Sequence, residues 1–126
     1  MITIKDLKDE DFVQYKVPAM TISFPYCSFK CGKDVCQNTG LINTPNHEIQ
    51  ETYLVERYYR NKLTKALVLS GLEPFDSFED MVKLIEAFRK KVKDPVVIYT
   101  GYNENEINNK LNILRSYGNI VIKFGR

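Results

Sequence analysis

Hydrophobic positions along this chain fall into short unbroken runs, separated by stretches with helical spacing. Ala19-Met20-Thr21-Ile22-Ser23-Phe24 reads as the first clear strand. Ala66-Leu67-Val68-Leu69-Ser70, closed by Gly71, reads as a second, and Pro95-Val96-Val97-Ile98-Tyr99, ending at Thr100-Gly101, as a third. Asn119-Ile120-Val121-Ile122-Lys123-Phe124 is the last, and Met1-Ile2-Thr3-Ile4 adds an expected edge strand. Short continuous apolar runs of this kind mark strands buried on both faces. Between them, Phe78, Met81, Val82, Ile85, Phe88 and Val92 recur at the spacing of an amphipathic helix. Asp76 with Glu79, or Ser77 with Asp80, supplies a capping-box start. Asn103, with Glu106 three residues on, begins a second helix with the stripe Ile107, Leu111 and Leu114, and Gly118 is placed to stop it. A third helix is expected from about Pro45 to Lys62, with Pro45 in its first turn and Leu54, Val55, Tyr58 and Tyr59 on its buried face. Apolar strands alternating with amphipathic helices predict an α/β fold, with right-handed crossovers and a mostly parallel sheet of about four to five strands.

The chain has 126 residues, 44% hydrophobic and 27% charged. That predicts one domain spanning residues 1–126, with neither the composition of a disordered segment nor that of a coiled coil. No run approaches the roughly 18 apolar residues that cross a bilayer, so no membrane partner is expected. Met1-Ile2-Thr3-Ile4-Lys5-Asp6 turns acidic too early for a signal peptide, which points to a cytoplasmic protein. Net charge is only +2. The densest basic run, Arg89-Lys90-Lys91-Val92-Lys93, falls where a helix ends, where cations complement the helix dipole. No aromatic residues interleave with it, so no nucleic-acid partner is expected.

The chemistry sits in the cysteines. All three, Cys27, Cys31 and Cys36, lie within ten residues of one another, inside a polar stretch running from Cys27 to Thr44. A loop of that length in a compact domain is usually functional. An odd number of cysteines in a reducing compartment argues against disulfides and for a metal or redox group. Three thiolates suit a [4Fe–4S] cluster with one iron left open, each sulfur taking one corner. Zinc is the alternative, since His47 could complete a Cys3His tetrahedron.

In parallel α/β sheets, ligands bind at the carboxyl ends of the strands. The cysteine loop, Ser70-Gly71-Leu72-Glu73-Pro74 and Thr100-Gly101-Tyr102 each follow a predicted strand, so the sheet should gather all three on one rim. An open iron corner would take a ligand carrying both an amine and a carboxylate. Glu73 could accept hydrogen bonds from that ligand's ammonium, with Pro74 fixing the backbone; otherwise it is an acid placed by a helix N-terminus.

These residues resemble the radical S-adenosylmethionine enzymes, most closely the small activating proteins of anaerobic (class III) ribonucleotide reductase. Cys27-Ser28-Phe29-Lys30-Cys31 and Cys36-Gln37-Asn38 resemble the two ends of the CxxxCxxC motif. Ser70-Gly71-Leu72-Glu73-Pro74 is similar to the SGGEP motif, and Tyr99-Thr100-Gly101-Tyr102 to the YTGY segment of the reductase activases. The resemblance implies a partial (β/α) barrel in which Cys27, Cys31 and Cys36 ligate the cluster. It implies that Val35, Cys36 and Gln37 pack on S-adenosylmethionine, that Gly71 and Glu73 receive its ammonium, and that Lys123 meets its carboxylate. It also implies a flavodoxin-like electron donor and a glycyl radical enzyme as partner, such as the large subunit of anaerobic ribonucleotide reductase. The alternative is a binding or regulatory module, held together by zinc or an inert cluster, without catalysis.

Four departures stand out. Four residues separate Cys31 from Cys36 where the family usually has two, and a bulged loop still closes, since five residue steps span up to roughly 17 Å. Leu72 replaces the second glycine, and a leucine there would be strained if the position needs a positive φ. Lys16-Val17-Pro18-Ala19 stands where the family has a glycine-rich stretch, and the sequence stops at Arg126 where the family typically continues, as in a short or truncated member or one completed by a partner.

Overall fold

The structure, a computed structural model, describes residues 1–25 and 46–125. Its centre is a five-stranded sheet of β2 (Asp6–Asp11), β3 (Ala19–Phe24), β5 (Ala66–Gly71), β6 (Val96–Thr100) and β7 (Ile120–Phe124), in the order β2-β3-β5-β6-β7. The pairs β3–β5, β5–β6 and β6–β7 are parallel, and β2 runs antiparallel to β3. The mixed α/β class and mostly parallel sheet expected from the apolar runs are therefore present.

All six residues of β3 are buried, because both sheet faces are covered. On one face, Met20, Ile22, Phe24, Leu67, Leu69, Val96 and Ile98 meet α1 (Glu51–Arg60), α2 (Phe78–Arg89) and α3 (Asn108–Arg115) in the main core. Burying a side chain such as Leu69 or Phe88 there contributes about 1.5–3 kcal/mol. The other face carries smaller residues: Ala19, Ala66, Val68 and Val97 pack against Tyr15, Val17, Tyr99 and Val121. Among the described residues, no helix is long and apolar enough to cross a membrane.

Several expectations change. Ile2–Ile4 forms β1, but not as an edge of the main sheet. It pairs antiparallel with β4 (His47–Ile49) in a separate two-stranded ribbon, with Ile2 opposite Ile49 and Ile4 opposite His47. The helix expected from Pro45 therefore begins at Glu51; Pro45 itself lies outside the described residues. Pairing with β1 overrides the local helical pattern there, and His47 is an exposed strand residue rather than a first-turn helical one. Leu54, Val55 and Tyr58 are buried as expected, but Tyr59 is exposed, with Lys62 and Lys91 over its ring.

Strand β2 was not foreseen, since Asp-Leu-Lys-Asp-Glu-Asp has one apolar residue; it is a charged sheet edge of the kind that discourages edge-to-edge association. Helix α2 also lacks the expected capping box. Ser77 makes no capping bond and its hydroxyl is buried without a partner among the described residues. Asp80 instead accepts the Thr3 amide at 3.0 Å, and Asp76 accepts the Tyr102 hydroxyl. The box at Asn103 does form: the Glu106 carboxylate accepts the Asn103 amide at 2.9 Å, across a 3-10 turn leading into α3.

The basic run sits at the end of α2, as expected. The Arg89 guanidinium donates to the carbonyls of Val92, Asp94, Gly118 and Asn119 at 2.8–3.1 Å, tying the entries of β6 and β7 together. Gly118 ends α3 with φ +81°.

Candidate functional site

The register of the parallel strands fixes the rim on which the site is built. From Ala19↔Ala66 to Phe24↔Gly71, β3 and β5 pair without an offset, so the chain leaves both strands at one level, about 5 Å apart. Thr100 ends β6 opposite Phe124 of β7 on the same side of the sheet. The strand that leads to the cysteines, the strand that leads to Glu73 and the strand that leads to Gly101-Tyr102 thus end together.

Gly71 sits at the closest approach. Its φ is +98°, and a Cβ on it would lie 2.5 Å from the Phe24 nitrogen and 2.7 Å from Ser23 Cα. The next amide, of Leu72, donates to the Phe24 carbonyl at 3.1 Å. The left-handed conformation therefore falls on Gly71, and Leu72 is not among the residues with positive φ. Strain at Leu72 does not arise.

Glu73 follows in extended conformation, capping a 3-10 turn over Pro74–Ser77. The residue is 5% exposed, and its carboxylate gathers three donors. Oε2 accepts from the Phe75 amide at 3.2 Å and the Thr100 hydroxyl at 2.8 Å, while Oε1 accepts from the Gly101 amide at 2.8 Å. Thr100 Oγ1 in turn accepts from the Tyr102 amide at 3.1 Å. The Tyr102 hydroxyl returns to Asp76, so two separate side-chain bridges join the β5 and β6 loops.

Burial pushes the Glu73 carboxyl above its ordinary range; the Gly101, Thr100 and Phe75 donors pull it back, and the neighbouring Asp76 charge adds to the rise. A carboxylate offers about four acceptor positions, so among the described residues one on Oε1 remains beyond these three bonds. What the arrangement can do chemically is present a buried, anchored anion to a cation arriving at the rim.

Of the site residues expected from sequence, Gly71 and Glu73 are thus brought together. Lys123 lies in β7 opposite Tyr99, exposed, two strands away from β5 and so roughly 10 Å across the sheet. Cys27, Cys31, Val35, Cys36 and Gln37 lie outside the described residues. Among the described residues no group of three or more His, Cys, Asp or Glu is assembled into a metal site. Sequence reasoning placed Thr100 and Gly101 at the rim without a partner. Their bond to Glu73 joins residues 27 and 28 positions apart, and the strand order is the signal that brings them together.

A family model for the 4Fe–4S single cluster domain matches residues 19–123, from the start of β3 through most of β7. The chain belongs to that family. No curated protein matches it, and no solved structure matches it. Membership makes the chain an iron–sulfur protein and bears on the choice between iron and zinc. The donor set fits: three clustered cysteines give soft thiolate ligands, which suit iron–sulfur clusters. His47, the proposed fourth zinc ligand, is an exposed residue of β4.

Proposed function

We propose that this 4Fe–4S domain is a radical S-adenosylmethionine enzyme of the type that activates glycyl radical enzymes. One observation supports the reading: the Glu73–Thr100–Gly101 bonds join the Ser70–Pro74 and Tyr99–Tyr102 motifs at the rim where, by the β3–β5 register, the strand preceding the cysteines in sequence also ends. The curvature expected is that of a partial (β/α) barrel, to which an open, mostly parallel sheet with helices on one face lends support.

Cys27, Cys31 and Cys36 would hold a [4Fe–4S] cluster. When bound, the cluster supplies one electron for reductive cleavage of the sulfonium of S-adenosylmethionine, giving methionine and a 5′-deoxyadenosyl radical. The residues of the chain bind and orient. Gly71 lets the backbone of β5 turn close against β3, and Glu73 presents its remaining Oε1 acceptor to the methionine ammonium. Val35, Cys36 and Gln37 would pack on the cofactor, and Lys123 would meet its carboxylate from β7. The radical would take a hydrogen atom from a glycine of a partner such as the large subunit of anaerobic ribonucleotide reductase, leaving 5′-deoxyadenosine and a glycyl radical. A flavodoxin-like donor would supply the electron.

The test is anaerobic reconstitution of the chain with iron and sulfide, followed by low-temperature EPR of the reduced protein with and without S-adenosylmethionine. The expected result is a changed spectrum on adding S-adenosylmethionine, and 5′-deoxyadenosine after reduction. A cluster whose spectrum ignores S-adenosylmethionine and yields no 5′-deoxyadenosine would overturn the proposal in favour of an inert-cluster module. One tightly held zinc per chain without iron would do so in favour of a zinc module.

A further inference from the structure

Glu73 is an acid in an unusual position. It is almost wholly shielded from water, it makes no ion pair among the described residues, and Asp76, whose charge acts on it, has the same sign. A buried carboxylate without a countercharge is costly unless donors surround it. Two of its three donors come from the neighbouring strand's loop, through the Thr100 hydroxyl and the Gly101 amide.

The Thr100 hydroxyl has one proton and accepts the Tyr102 amide, so that proton is committed to Glu73. Thr100 is 3% exposed, so no bulk water substitutes for either bond. With Oε2 filled by Phe75 and Thr100 and Oε1 half-filled by Gly101, the carboxylate plane is fixed and, among the described residues, a single acceptor direction is left.

We propose that Thr100 is a positioning residue for recognition of an amino-acid ammonium: its hydroxyl anchors Glu73 so that the free acceptor on Oε1 is aimed at the ligand's cation. The inference rests on the function proposed above and adds to it a residue, supplied by another strand, that acts through Glu73. A ligand ammonium would also provide the countercharge that the described residues of the site do not.

The experiment uses the full chain, reconstituted anaerobically, with S-adenosylmethionine as probe and binding followed by equilibrium dialysis and by the EPR change. Thr100→Val keeps the shape and removes the hydroxyl; it should weaken binding about tenfold while iron content stays at the wild-type level. Thr100→Ser, which keeps the hydroxyl, should bind within about threefold of wild type. In a Glu73→Gln background Thr100→Val should have no further effect, since Thr100 acts only through that carboxylate. Binding should also weaken on acidification as Glu73 protonates, and at a higher pH in Thr100→Val, which loses a donor that favours the anion.

Wild-type affinity and an unshifted pH profile in Thr100→Val would overturn the positioning role while leaving the proposed function intact. So would an undiminished effect in the Glu73→Gln background. A wild-type chain that carries its cluster but binds no S-adenosylmethionine would overturn the proposed function and this role together. Should Thr100→Val fail to fold, Thr100→Ala makes the same comparison.

Discussion

Two carboxylates of this protein have the same exposure and the same kinds of partner but opposite chemistry. Asp11, at the end of β2, is 5% exposed and accepts from the Val13 amide, the Gln14 amide and the Thr21 hydroxyl. Glu73, at the opposite end of the sheet, is 5% exposed and accepts from two amides and a threonine hydroxyl as well. Yet the Asp11 carboxyl is held below its ordinary value and the Glu73 carboxyl above it.

Burial raises both. At Asp11 it is outweighed by the three donors together with the positive charge of Lys8. At Glu73 burial is deeper and Asp76 adds a like charge, so similar donors do not suffice. Counting hydrogen bonds therefore does not reveal which acid is structural. Depth and the sign of the neighbouring charge do, and Glu73 is the one that a cation would relieve.

The largest effect expected from breaking this contrast comes from the rim itself. Gly71→Ala would drive a Cβ to 2.5 Å from the Phe24 nitrogen in a left-handed conformation. It should cost about 3 kcal/mol or more in urea unfolding and displace Glu73 from Thr100. A loss under 1 kcal/mol would show that β3 and β5 can part at no great cost.

Next comes Asp11→Asn, at about 2 kcal/mol near neutral pH, since it weakens three bonds to an anion. Because the folded Asp11 carboxyl is depressed below 3.8, its stabilisation is present above that value and is lost as pH falls through the folded value. The cost of the substitution should shrink on acidification.

Glu73→Gln should cost less at neutral pH, about 1 kcal/mol, with the reverse dependence. A carboxyl raised above 4.5 in the fold contributes most below 4.5, and that contribution is lost as pH rises through the folded value. Unfolding midpoints of the two variants against wild type, measured across acid pH, should therefore diverge in opposite directions. Parallel profiles would remove the distinction between the two sites.

The smallest effects, within about 1 kcal/mol, come from the neighbours. Lys8→Gln should raise the Asp11 carboxyl and Asp76→Asn should lower that of Glu73, each followed by NMR titration of the side-chain carboxyl. No movement in either would place the whole contrast on burial.

Much of this was legible in the sequence where apolar periodicity was strong. β3, β5, β6 and β7 lie within a residue of their expected limits, and the stripes of α2 and α3 face the core as read. β2 was hidden because its sheet-edge position suits charged residues, and β4 because three residues carry no period and take their pairing from β1. The rim was legible from the rule that ligands gather at strand ends. The Glu73–Thr100 bond was not, because it depends on β5 and β6 being neighbours, a fact of topology rather than of local pattern.

The pairing of Ala19–Phe24 with Ala66–Gly71 runs six residues without a bulge. Side chains alternate across a sheet, so one residue inserted into β3 would turn Met20, Ile22 and Phe24 away from the helices and move Phe24 out of register with Gly71. The length from Ala19 to Phe24 thus acts as a ruler: core packing and the close approach of Phe24 to Gly71 are counted off from the same origin, and neither can drift alone.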